Sequence, residues 1–118
     1  RQRQQQGKTG KKARQAGTQA MAMLIFLQRH FTRLHAAQGF IAAGDPPSQA
    51  LKKLRPPVFF NAERRFHAQL QKWSLPRLDS AIEQLLQAEH DAKTTGAPAQ
   101  EIIERTALRL AAIASRAR

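Results

Sequence analysis

From Thr18 onward the chain advances in steps of three and four. Ala20, Leu24, Leu27, Phe31, Leu34 and Ile41 recur at that spacing, with Gln38 filling the single gap. Residues three and four apart share one face of a helix, so the pattern predicts a long amphipathic helix from Thr18 to Ala43. Met23 and Phe26 widen its apolar stripe. Gly44 suits the position just past a helix end. Asp45 is a good N-cap and Pro46 a good first residue for a short second helix, Pro47 to Leu54. Ala50, Leu51 and Leu54 form its inner face, and Lys52 and Lys53 its outer one.

Arg55-Pro56-Pro57 ends that helix, because each proline pushes the residue before it out of helical geometry. Val58, Phe59 and Phe60 then read as a linker that enters the core. Asn61 is positioned to cap a third helix, with Glu63 near the positive end of its dipole. Phe66, Leu70 and Trp73 follow at i, i+4 and i+7. Ser74 caps a fourth helix and Pro76 sits in its first turn. Leu78, Ile82, Leu85, Leu86 and Glu89 define one face, and Thr94-Thr95-Gly96 closes it. Pro98 opens a fifth helix with Glu101 and Glu104 early and Arg105, Arg109 and Arg116 late, the charge order that suits the helix dipole. Its stripe is Ile102, Ile103, Leu110 and Ile113, with the small residues Ala107 and Ala114. Short connections favour antiparallel neighbours, so the expected fold is all-α, a compact five-helix bundle.

Composition supports this reading and narrows it. The 118 residues fit one domain, and they include 21 Ala and 14 Gln but one Val and neither Tyr nor Cys. Scarce β-branched residues argue against a sheet protein, and the missing Cys excludes disulfides and thiolate metal sites. The longest apolar run, Ala20 to Leu27, is eight residues and cannot span a membrane. The net charge of +12 points to an anionic partner, with nucleic acid the commonest and a membrane surface or an acidic protein behind it. Its distribution is uneven: residues 1–17 hold six basic side chains and no acid. This Gln/Lys-rich stretch lacks large apolar residues and reads as a basic arm, disordered or loosely helical, ahead of a folded part at 18–118. Gly7-Lys8-Thr9 imitates the end of a phosphate-binding loop, but Gln2 stands where that loop needs glycine, and no strand precedes it.

No catalytic constellation emerges. His30 and His35 are five apart and fall on different helix faces, and His67 and His90 have no ligand partner at i+4. No metal, cofactor or small-molecule substrate is expected, and the chain alone is not read as an enzyme. The basic residues of the folded part are the candidates for DNA or phosphate contact. They are Arg29 and Arg33 on the first helix, Lys52, Lys53 and Arg55 at the end of the second, Arg64 and Arg65 on the third, and Lys93 with Thr94 and Thr95 at the last turn. Phe and Trp are assigned to the core rather than to base stacking. The Pro-Pro break does not provide the short turn of a helix-turn-helix. One reading is thus an independent, small, basic helical nucleic-acid-binding protein.

Four patches, in order, carry a resemblance. They are Leu27-Gln28-Arg29-His30-Phe31, Leu54-Arg55-Pro56-Pro57-Val58-Phe59-Phe60, Trp73-Ser74 and Lys93-Thr94-Thr95-Gly96-Ala97-Pro98. Together they resemble the C-terminal region of the bacterial DNA polymerase III delta subunit, over about Met21 to Ala112. The resemblance implies a clamp-loader collar fold of five helices. Pro56, Pro57, Phe59, Phe60, Trp73, Gly96 and Pro98 would be its structural motif residues. It also implies a cytoplasmic role in DNA replication as part of the polymerase holoenzyme. The implied partners are the other clamp-loader subunits, tau/gamma and delta-prime, with DNA contacted indirectly or weakly and no membrane. The clamp-opening and ATPase-like domains of that family have no counterpart here, and the chain begins at Arg1, so a fragment of a longer subunit is expected. The resemblance does not extend to residues 1–17.

Overall fold

A computed structural model describes residues 11, 12 and 14–116 in full, with residues 2–10 and 13 described as helical backbone. The elements are α1 (Gln2–Ala42), α2 (Pro47–Lys53), a 3₁₀ turn (Phe60–Ala62), α3 (Glu63–Lys72), α4 (Leu75–Ala92) and α5 (Ala99–Arg116). The described residues are helical or irregular, with no strand among them. The all-α, five-helix expectation holds.

α1 is the axis of the fold. Its 41 residues extend about 60 Å at the usual rise per residue. α1, α4 and α5 pack against one another, while α2 and α3 lean on α1. α4 runs antiparallel to α1: Gln28 meets Glu89, and His35, further along α1, meets Asp79 earlier on α4. Of the expected arm, Arg1 lies outside the described residues, and the backbone of residues 2–10 is helical and part of α1. α1 thus begins well upstream of the Thr18 start that periodicity suggests. Ala, Gln, Lys and Arg are good helix formers and carry the helix past the end of the apolar stripe.

The core follows the stripe. Leu24, Leu34, Ala37, Leu51, Leu78, Leu85 and Ile103 are fully buried, as is Trp73. Each such leucine contributes roughly 1.5–3 kcal/mol relative to an exposed one. Gln38, the polar gap in the stripe, has a structural role. Its Nε2 donates to the carbonyls of Leu70 (2.7 Å) and Trp73 (2.8 Å), capping the end of α3 from α1. Trp73 stands edge-on to Phe31 with ring centroids 4.7 Å apart.

Local signals set most helix ends. The Ser74 hydroxyl accepts from the Arg77 amide, as its N-cap position predicts. Gly44 and Gly96 take the positive φ values, 113° and 78°, that end α1 and turn the chain after α4. The Pro98 carbonyl accepts the first bond of α5, from Ile102. Other expectations are corrected. α2 is capped by Pro46 with Pro47 inside, and the Asp45 carboxylate pairs instead with Lys53. Asn61 lies within the 3₁₀ turn, and Ala62 is the N-cap of α3. Val58 packs on the core, but Phe59 and Phe60 do not follow it: they are 72% and 87% exposed. The extended backbone at Phe59 and the turn that begins at Phe60 hold both rings outside, where no helix remains to cover them. Phe26 on α1 is exposed as well, and so is Leu86, because Ala81 and Ala88 rather than Leu86 complete the inner face of α4.

Candidate nucleic-acid interface

Two turns of α1 and the Pro-Pro segment frame a shallow cleft of about 470 Å³ lined by Gln28, Arg29, Thr32, Arg33, Arg55 and Pro56. The i, i+4 spacing places Arg29 and Arg33 on one side of α1, as the sequence suggests. Arg55 approaches from the opposite wall. Arg33 Nη1 donates to the Pro56 carbonyl at 2.6 Å and ties the segment to α1. Arg55 makes one long bond, 3.5 Å, to the Lys52 carbonyl, and Arg29 is exposed. Three arginines thus line one concave surface. Such a surface suits an anion, because guanidinium forks match the geometry of phosphate oxygens.

The other candidates divide. Arg64 and Arg65 are exposed on α3, one turn beyond Phe60. Lys52 is exposed on α2, while Lys53 is held by Asp45 and lies 5.3 Å from the Phe40 ring centroid. Lys93 does not line the cleft; it is partnered at 2.9 Å by Glu89, whose carboxylate also accepts from the cleft residue Gln28. That lysine and Gln28 hold the Glu89 carboxyl below the usual carboxylate range. The Thr94 hydroxyl donates to the His90 carbonyl, and Thr95 is exposed. The tertiary structure therefore brings together Arg29, Arg33 and Arg55. Arg64 and Arg65 sit nearby in sequence on the next helix, and Lys93, Thr94 and Thr95 do not line the cleft. Sequence reasoning missed Phe59 and Phe60 as exposed groups. Their signal was present in the two prolines before them and the arginines after them.

His30 sits behind this face among aromatic rings, stacked on Phe26 and edge-on to Phe31 and Phe66. Burial, and then the nearby Arg33 charge, push its pKa below the ordinary 6.5. The unfolded chain therefore takes up this proton first. Its contribution to stability is full above pH 6.5 and is lost as pH falls toward the folded-state value. Melting temperatures recorded between pH 7.5 and 5 should fall, and His30→Gln should flatten that slope. An unchanged slope in the variant rejects this account.

Among the described residues no group of three His, Asp or Glu side chains gathers as a metal site, and no helix is long and apolar enough to cross a membrane. The fold and this face define a small all-helical domain with a basic cleft. No family model, curated protein or solved structure matches the chain.

Proposed function

We propose that the chain is a collar domain of the clamp-loader delta subunit of bacterial DNA polymerase III. In this reading it is a non-catalytic assembly module of the cytoplasm. Its helix faces pack against the tau/gamma and delta-prime subunits and so support loading of the sliding clamp onto primed DNA. The observation that carries the reading is where the motif patches fall. Arg55-Pro56-Pro57-Val58-Phe59-Phe60 joins α2 to α3, Trp73-Ser74 joins α3 to α4, and Lys93 to Pro98 joins α4 to α5. These three of the four patches mark junctions of the bundle, in the order of the resemblance, and the first, Leu27-Gln28-Arg29-His30-Phe31, lies within α1. Supporting it, α1, α4 and α5 leave Ile25, Phe26, Leu86 and Leu108 uncovered, with Leu108 72% exposed. Large apolar groups left outside a bundle are what neighbouring subunits would bury.

Mixing the chain with purified tau/gamma and delta-prime subunits should give a complex that co-elutes in size-exclusion chromatography. Leu108→Glu should weaken that association by roughly tenfold or more while leaving the melting curve in place. A folded chain that associates with neither subunit contradicts the proposal. The second reading, an independent nucleic-acid-binding protein, is favoured by the arginine cleft alone.

A further inference from the structure

We propose that residues 55–65, together with Arg29 across the cleft, form a binding site for a single strand of nucleic acid. Phe59 and Phe60 stack bases, and Arg29, Arg55, Arg64 and Arg65 hold the neighbouring phosphates.

The backbone of this segment is fixed on both sides of the rings. The Val58 amide donates to the Leu51 carbonyl, and the Ala62 amide to the Phe59 carbonyl at 2.8 Å. Arg33 anchors Pro56. Phe59 and Phe60 are thus presented on a held loop rather than left over on a loose one. The surrounding charge is of one sign. Arg55 precedes the rings by four residues, and Arg64 and Arg65 follow within five, with Glu63 the one acid in the span. Four extended residues reach at most about 14 Å, so the cleft and the rings lie within a few nucleotides of each other. An apolar protein pocket would cover the rings but face three guanidiniums. A single strand satisfies both features, since each base has a π-face and each linkage a phosphate. Bases within a duplex are already stacked, so the rings select the unpaired strand. The rings and arginines of this site are not the exposed apolar residues of α1, α4 and α5 invoked for subunit packing (Ile25, Phe26, Leu86 and Leu108), and the site does not depend on that reading.

The test uses the full chain, labelled oligo(dT) of about 20 nucleotides, and a duplex of the same length, read by fluorescence anisotropy. Both rings are exposed, so the pair Phe59→Ala and Phe60→Ala should fold. That pair should weaken oligo(dT) binding by about 10- to 100-fold, with little effect on the duplex and an unchanged salt slope. The pair Arg55→Ala and Arg64→Ala should reduce the slope of log affinity against log salt by about 1.4. Ultraviolet cross-linking of oligo(dT) to the unaltered chain should label the peptide holding Phe59 and Phe60. Three results overturn the site. One is undiminished oligo(dT) binding by the phenylalanine pair. Another is cross-links confined to residues 1–17. The third is loss of tau/gamma or delta-prime association by that pair with oligo(dT) binding intact, which assigns the rings to a protein partner.

Discussion

Trp73→Ala should lower stability by about 3–5 kcal/mol, a large share of what a domain of this size possesses. At roughly 4 °C per kcal/mol, the melting temperature should drop by more than 10 °C. The indole is 1% exposed, packs edge-on to Phe31 and lies where α3 hands over to α4. Truncation leaves a cavity bounded by α1 and α3, two helices whose positions are set by other contacts, so collapse into the space is restricted. Trp73→Phe should cost far less, about 1 kcal/mol, because the Trp73 Nε1 is buried with no hydrogen-bond partner among the described residues. Removing that N–H recovers part of what the smaller ring loses. Thermal and urea melts of the two variants provide the comparison, and equal losses would falsify the cavity account.

The second large effect is expected at Gln38. Its amide donates to two carbonyls, from Leu70 and Trp73. Gln38→Ala should cost about 1–3 kcal/mol by leaving both acceptors part-buried and unpaired. Gln38→Glu should cost more at neutral pH, since an ionised carboxylate would face two carbonyl oxygens. Only the protonated acid can donate, so its folded-state pKa is raised above the unfolded value. Stability is then retained below the unfolded carboxyl pKa, about 4.3, and lost as pH rises through the folded one. Urea titrations at pH 4 and pH 7 should show the variant closer to the parent at pH 4. A larger deficit at pH 4 than at pH 7 contradicts the assigned bonds.

These two residues show how unevenly the fold was legible. Trp73 falls in phase with Phe66 and Leu70, so its burial follows from periodicity. Gln38 occupies the same stripe as Leu34 and Ile41, yet its reason for being there depends on α3, 32 residues away in sequence. Helix ends marked by Ser74, Gly44, Gly96 and Pro98 were readable because their signals act on adjacent backbone. The caps assigned to Asp45 and Asn61 failed because a neighbouring Pro46 and the 3₁₀ turn took those positions. The candidate site was half legible. Arg29 and Arg33 share a helix face by spacing alone, but Arg55 joins them only because Pro56 is bonded back to α1.

The sequence by itself determined the helices, their order and the sides that can be buried, since periodicity and turn chemistry are local. Whether an apolar side chain is in fact buried depends on whether another helix arrives to cover it. Ala81 and Ala88 were covered and Leu86 was not; Val58 was covered and Phe59 and Phe60 were not. Hydrophobicity describes what a residue gains from burial, while the packing of α1 against α4 and α5 decides where the volume for it exists.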